Sequence, residues 1–309
     1  MNIASPLVTI AIPVYKSRFL RQAIQSAINQ TYRNIEIVIV NDASPENVDE
    51  IVSSFEDRRI KYFTNETNIG GQDPAENWNK CLEHASGEFF ALLCDDDVYE
   101  DFFIDEMIGL WRNNPEISVF RSRVKMVDAD NNIIDLYPSS PSWESAMDYL
   151  WSKVSRNRIQ TISEFLIKTD RIKSCGGYIN MPKAWCADEM SILTFAKEGG
   201  IAHSNKLCVS FRMSGENISS NNSKDTIAKI EAQLLYTNWI KEFIKEEQKW
   251  FQDSVLFHRS NCLSICISEY LQYASLKDFV YLIFHRKDYQ ILWFYFIKAL
   301  VSRVAKFIK

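Results

Sequence analysis

The chain has 309 residues, 46% hydrophobic and 24% charged, enough to bury one large core or two smaller ones. Its formal net charge of −5 gives none of the basic surface that general nucleic-acid binding needs, so small or locally bound partners are expected and no nucleic acid. Seven scattered cysteines, an odd number, read as reduced thiols of a cytoplasmic protein; Cys262 and Cys266 stand at helical spacing without a second Cys/His pair nearby and read as core packing rather than a zinc site.

The opening MNIASPLVTIAIPVY is interrupted by Pro6 and Pro13 and carries no basic segment ahead of an apolar one, so neither export nor a membrane span is expected there. Over the first hundred residues, the β-branched or aromatic runs LVTIAI, IEIVIV, IKYF and FFALL alternate with segments of helical period. This βαβ pattern predicts an α/β domain with a mostly parallel sheet. Phe19, Leu20, Ala23, Ile24, Ala27 and Ile28 share one face of a crossover helix. Polar loops follow the strands: NDASPEN after Val40, NETNIGGQDP after Thr64 and CDDD after Leu93. In open α/β sheets, ligands gather at the carboxyl ends of the strands, which makes the edge carrying these loops the candidate site.

Residues 115 to about 215 mix strand-like runs (ISVFRSRVKMV, TISEFLIK, NKLCVSFRM) with helical runs at 143–152 and 187–198, material that completes the same domain. The turn-rich SGENISSNNSKD places a boundary near 218, giving a domain over 1–217 and a helical region over 218–309. The last segment is locally basic. Lys298, Ser302, Lys306 and Lys309 line one helical face, and Trp293, Phe294, Phe296, Ile297, Leu300, Val301, Val304 and Ile308 supply a broad apolar one. Two readings follow: a helix lying in a membrane interface, or a terminal helix docked on the protein's own core.

The sharpest feature is Asp95, Asp96 and Asp97 at the end of an apolar strand. Two unit charges about 4 Å apart repel by roughly 4 kcal/mol at an effective dielectric near 20, so such a cluster needs exposure or compensation. Mg²⁺ or Mn²⁺ supplies compensation and commonly bridges carboxylates to substrate phosphates. The alternative is an acidic helix N-terminus, because DDDVYEDFFIDEM leads into a helical pattern. There is no P-loop motif, and Gly70-Gly71 stands alone rather than in a dinucleotide fingerprint.

Three blocks in order, VTIAIPVYKSRFLRQAIQSAINQTYRNIEIVIVNDAS, NIGGQDPAENWNKCLEHASGEFFALLCDDDVY and GGY…WCADEMSILTFAKEGG, resemble the signature blocks of family-2 inverting glycosyltransferases of the GT-A fold, over about residues 6–213. The resemblance implies a GT-A domain that takes a nucleoside-diphosphate sugar, a UDP-sugar favoured, and a glycan or lipid-linked acceptor. It implies that Pro13, Val14 and Tyr15 shape the loop under the nucleotide and that Asp42 hydrogen-bonds the base, the alternative for Asp42 being an Asx turn. Asn68 and Asn77 match positions near the nucleotide, although Asn77 reads equally as a surface helix residue.

The family's Asp-x-Asp motif falls on Cys94 to Asp97 here. Asp95 is then expected at the ribose or sugar and Asp96 on a divalent metal (Mn²⁺ or Mg²⁺), with Asp97 behind them or capping a helix. In KAWCADEMSIL, Asp188 aligns with the catalytic base, Glu189 is the choice one register along, and Ala187 replaces a usual acid. An acid pair at a helix N-terminus is the plain alternative. In SFRMSGENIS, Arg212 is kept as a diphosphate contact or a surface arginine, and Ser214 stands where histidine is common. The expectation is therefore a metal-dependent inverting transferase in surface-polysaccharide assembly, cytoplasmic or peripheral at the inner membrane face. A non-catalytic nucleotide-sugar binding or scaffolding subunit is the competitor, and a nucleotidyltransferase is disfavoured because IPVYKSRF is not a glycine-rich phosphate loop.

Overall fold

The computed structural model describes residues 5–215, 225–289 and 291–307. The first half alternates strand and helix: β1 (Val8–Val14), α1 (Leu20–Ile28), β2 (Ile35–Asn41), α2 (Val48–Ser53), β3 (Ile60–Thr64), α3 (Pro74–Glu83), β4 (Phe89–Leu92), β5 (Val98–Tyr99) and α4 (Phe103–Asn113). A mixed segment follows, with β6 (Val119–Val127), β7 (Ile133–Leu136), β8 (Trp143–Glu144), α5 (Ala146–Val154), β9 (Phe165–Lys168), α6 (Thr169–Ser174), α7 (Ala187–Ala196) and β10 (Ile201–Arg212). Among the described residues four helices follow: α8 (Thr226–Phe243), α9 (Lys249–Tyr273), α10 (Leu276–Phe284) and α11 (Trp293–Phe307).

The strands make one sheet in the order β3-β2-β1-β4-β9-β6-β10-β5, with β7 on β6 and β8 on β10. β3, β2, β1 and β4 pair in parallel, and β9 is antiparallel to both β4 and β6. β10 runs parallel to β6 and antiparallel to β5. Thus β1, β2, β3, β4, β6 and β10 all point one way, and their carboxyl ends share an edge.

Period-2 alternation decides which residues meet which helices. Ile37 and Ile39 join Ile10 and Ile12 in one layer with Leu20 and Ile24 of α1 and Phe103 and Met107 of α4. Val38 and Val40 join Ala11, Phe90 and Leu92 in the opposite layer, against Ala75 and Cys81 of α3 and Phe195 of α7. Both faces are covered, which is why these strands read as continuous apolar runs.

The sequence pattern and the structure differ at two places. The acidic loop does not run directly into a helix: β5 intervenes and pairs Val98 and Tyr99 with Ser210 and Val209, and α4 starts at Phe103. Trp143 and Glu144, expected in a helix, form β8, and Ser145 caps α5 by accepting from the Asp148 N–H. The helices after residue 225 pack on the rest of the molecule. Ala232, Tyr236, Ile240 and Val255 share a core with Leu150 and Phe195. The end of α9 forms a further cluster with α10, α11 and Ile230 of α8, around Ile267, Leu271, Phe279, Leu282, Phe296 and Ala299. The boundary expected near 218 lies outside the described residues.

Candidate active site

Parallel pairing sets Val14 beside Asn41, and the Asp42 N–H donates to the Val14 carbonyl at 2.8 Å, so the loops after β1 and β2 leave the sheet together. Pro13 is half-buried and Val14 fully buried, whereas Tyr15 is exposed at the mouth of the loop. The Asp95 carboxylate accepts from the N–H groups of Tyr15 (3.0 Å) and Lys16 (2.8 Å) and so binds the acidic loop to the first strand-end loop.

Asp42 is buried and turned toward the loop after β3. Its Oδ1 accepts from Asn65 Nδ2 (2.8 Å) and the Ile69 N–H (2.9 Å), and its Oδ2 from the Gly70 N–H (2.7 Å). A Cβ on Gly70 would stand 2.8 Å from Asp42 Oδ2, closer than side-chain carbons approach, so glycine is the residue that lets the loop close on this carboxylate. Asn77 is also buried. It accepts from Asn65 at 3.1 Å and donates to the Val40 carbonyl at 3.4 Å, while Asn68 is exposed on the loop they hold.

The three aspartates have different surroundings. Asp97 is fully buried: it accepts from Ser163 Oγ at 2.6 Å and from the Arg212 N–H at 3.0 Å, and burial beside Asp96 pushes its pKa well above the ordinary range. It is no helix cap. Asp96 is half-buried, and burial together with the Asp95 carboxylate pushes its pKa up to about 6. Asp95 is raised by burial, against the two N–H groups it accepts. Burial is the larger cause of the Asp96 shift and the Asp95 charge the next, and a divalent cation beside Asp96 would offset both. Among the described residues no three His, Cys, Asp or Glu groups converge on one point. A cation held by Asp96 would fill the rest of its shell with phosphate and water oxygens, which suits Mg²⁺ or Mn²⁺.

Arg212 is neither a surface arginine nor turned to solvent. It is 0% exposed, and its guanidinium donates to the carbonyls of Asp96 (2.9 Å) and Asp128 (3.1 Å), to Gln22 Oε1 (2.8 Å) and to Asn131 Oδ1 (2.8 Å), over the Phe19 ring at 4.3 Å. It is thus a clamp under the acidic loop. Ser214 follows β10 on the same edge.

Asp188 sits in the first turn of α7, where acids suit the helix dipole. Lys183, Ala184 and Cys186 all take left-handed φ values just before it, a run of non-glycine residues in a sparsely populated region that marks a tightly determined loop. Asp188 Oδ2 accepts from Gln160 Nε2 at 3.0 Å, and burial next to Glu189 pushes its pKa up to about 6. Glu189 is engaged elsewhere. Burial would raise its pKa, but Lys153, 2.8 Å away, overrides it and holds the carboxyl low. Of the two neighbours, Asp188 is the carboxylate poised to take a proton near neutral pH.

Gln160 and Ser163, which the sequence reading did not single out, join the two halves of the site. Ser163 holds Asp97 and also accepts from the Cys94 N–H at 3.2 Å, and Gln160 holds Asp188. Three Cα steps separate them, so their Cα atoms lie within about 11 Å. The segment is clamped at both ends by Arg121, which donates to the Ile159 carbonyl at 2.7 Å and to Glu164 at 2.8 Å in a fully buried pair. The loop before α7 is likewise tied to the segment between β3 and α3: the Met181 N–H donates to Asp73 at 2.6 Å, and Lys183 Nζ to the Gly71 carbonyl at 2.7 Å.

The model of the family described as "Glycosyl transferase family 2" matches residues 9–180. An uncharacterised glycosyltransferase of Haemophilus influenzae is 28% identical over 227 residues, 72% of this chain and 85% of its own length. One of Rickettsia typhi is 39% identical over 122 residues, 38% of this chain, and the match spans 37% of that relative. Among solved structures, S. aureus TarS 1-349 in complex with UDP-GlcNAc superposes with a TM-score of 0.66 at 15% identity, covering 96% of this chain and 89% of that one. The mannosyltransferase PcManGT of Pyrobaculum calidifontis, in complex with GDP-Man and Mn²⁺, gives 0.56 at 16% identity, covering 98% and 88%. Both neighbours share the GT-A fold with this α/β chain. With the family model matching more than half of its length, the chain belongs to glycosyltransferase family 2.

Proposed function

We propose that the chain is an inverting, metal-dependent glycosyltransferase that moves a sugar from a nucleoside-diphosphate sugar, a UDP-sugar favoured, to a hydroxyl of a glycan or lipid-linked acceptor in surface-polysaccharide assembly at the inner face of the membrane. The observation that carries this reading is the Gln160–Ser163 bridge, which keeps a carboxylate with a pKa of about 6 beside a strand-end acidic loop. Solved neighbours that hold UDP, UDP-GlcNAc and GDP-Man support the donor class.

The chemistry is a single displacement. The acceptor oxygen attacks the anomeric carbon as the bond from that carbon to the diphosphate oxygen breaks. The acceptor proton passes to Asp188, and the electron pair leaves with the diphosphate. Gln160 orients Asp188 by donating to Oδ2. Asp95 holds the main chain of Tyr15 and Lys16 under the nucleotide, and Asp42 holds the Ile69–Gly70 loop that meets the base side. Arg212 acts on the diphosphate indirectly, by fixing the Asp96–Asp97 main chain. A divalent cation at Asp96 would neutralise charge on the departing diphosphate.

The test is a panel of UDP- and GDP-sugars incubated with the protein, Mn²⁺ and mixed glycan acceptors. The expected product is free nucleoside diphosphate, formed only with acceptor present and lost in Asp188→Asn. Release of pyrophosphate would instead identify a nucleotidyltransferase, and donor binding without turnover on any acceptor would identify a binding subunit.

A further inference from the structure

Among the described residues no helix is long and apolar enough to cross a membrane, yet the end of the chain presents a large apolar surface. In α11 the periodicity splits into two faces. Phe296 and Ala299 point inward against Leu271 and Phe279, while Phe294 (64% exposed), Ile297 (59%) and Val301 (65%) point outward. The helix is docked on the core by one face and bare on another, so the two readings of this segment describe different sides of it. α10 repeats the arrangement: Phe279 and Leu282 are buried, and Leu276 (75%), Val280 (42%) and Phe284 (80%), at i, i+4 and i+8, are exposed.

This presentation is built rather than slack. Arg303 donates to the carbonyls of Leu271, Gln272 and Ala274 at the end of α9, at 2.7, 3.0 and 2.6 Å, and its guanidinium lies over Phe279 at 4.6 Å. One side chain thus caps α9, fixes the roll of α11 and holds α10 beside it. The Phe279 and Phe296 rings meet edge-on at 5.4 Å, and Arg286 covers Trp293 at 4.9 Å. Neither helix can turn its outer stripe inward without breaking these contacts.

Charge identifies the occupant. Residues 276–309 hold seven Lys or Arg against two Asp, a net +5, whereas the whole chain carries −5, so residues 1–275 carry −10. A cationic, aromatic, apolar end on an otherwise anionic molecule fits an anionic lipid surface, which takes up the apolar stripes and repels the remainder. Lys287 and Lys298 are exposed beside the stripes, where an ammonium can reach headgroups while its stem lies along the apolar layer.

We propose that α10 and α11 together form a two-helix platform that seats the protein on an anionic bilayer surface, with Leu276, Val280, Phe284, Phe294, Ile297 and Val301 entering the headgroup boundary. The platform rests on the proposed membrane-side role for its biological meaning, but its physical test is separate. Truncation is a poor probe, because removing α11 uncovers Leu271 and Phe279.

The experiment is sedimentation of the full chain with vesicles of phosphatidylcholine, with and without 30% phosphatidylserine, at low and high salt. The chain is expected to pellet with anionic vesicles and to be released by salt. Each basic residue near such a surface contributes about fivefold, so Lys287→Gln with Lys298→Gln weakens binding about 25-fold. Phe284→Ser weakens it tenfold or more, the lower bound for burying a phenylalanine. Both variants alter exposed positions and should keep the parental melting temperature and turnover on a soluble acceptor. Equal pelleting with neutral and anionic vesicles, or none at low salt, overturns the platform. So does a wild-type dimer that Phe284→Ser turns monomeric without any vesicle binding, since the stripes would then face a second copy. If the unaltered chain does not pellet with anionic vesicles while its turnover is intact, the platform alone is refuted, and lack of turnover with pelleting intact refutes only the enzymatic reading.

Discussion

Replacing Asp188 by asparagine should leave the donor pocket almost untouched and remove the base. The amide oxygen can still accept from Gln160 Nε2, now 3.0 Å from the carboxylate, so the local geometry has no reason to change. General-base removal costs about 10²–10⁴-fold in rate, roughly 3–5 kcal/mol of barrier. With a pKa of about 6, Asp188 is roughly nine-tenths ionised at pH 7, so kcat/KM of the parent should climb between pH 5 and 7 and level off above. Glu189→Gln sharpens the test. The Glu189 carboxylate raises the pKa of Asp188, and Lys153 lowers it. Without Glu189, Lys153 faces Asp188 alone, and the acid limb of the profile should move to lower pH while turnover at pH 7 changes little. The assay is nucleoside-diphosphate release with a verified acceptor from pH 5 to 8, with donor affinity measured by calorimetry. An Asp188→Asn rate within a few-fold of the parent, or a Glu189→Gln variant that loses turnover instead, would refute the assignment.

Other outcomes follow from the same geometry. Asp96→Ala should remove the Mn²⁺ dependence of UDP binding in titration calorimetry; metal-dependent binding as tight as the parent's would exclude Asp96 as ligand. Arg212→Ala strands the acceptors that a buried guanidinium satisfies. A loss of about 3–5 kcal/mol, as for a broken buried charge network, would lower the melting temperature by roughly 5–8 °C for a chain of this size. Gly70→Ala puts a Cβ 2.8 Å from Asp42 Oδ2 and should weaken donor binding while leaving the Asp188 pH profile in place. Gln160→Ala should move that profile and lower kcat more than it raises KM; if only thermal stability changes, Gln160 has no positioning role.

The residues that declared themselves in the sequence are those whose neighbours are local. Alternation in IEIVIV separates Ile37 and Ile39 from Val38 and Val40 without knowledge of what packs on either side, and the helical spacing of Leu20, Ala23, Ile24 and Ala27 does the same for α1. The strand-end loops were legible as one edge because parallel strands force it. Long-range partners left no trace. Ser163 reaches Asp97 across 66 positions and Arg212 reaches it across 115, and nothing in ISEF or SFRM signals either contact. Arg212 was therefore read, from its place in a segment resembling the family's, as a diphosphate contact or a surface arginine, whereas its surroundings make it a buried clamp. The two-residue β5 is too short for any periodicity and exists because β10 runs past it. The final helix was ambiguous for a physical reason: its apolar residues wrap more than one face, so spacing alone does not separate the side that packs on α9 and α10 from the side left exposed.

The most direct measurement is the stereochemistry of the product. One displacement at the anomeric carbon, with Asp188 taking the acceptor proton, must invert that centre. A donor whose sugar is α-linked to the diphosphate should therefore give a β-linked product, read from the anomeric proton coupling by NMR before any mutarotation. A product that retains the α configuration would contradict the account, because it requires a second displacement or front-side attack, for which Asp188 would not be the base.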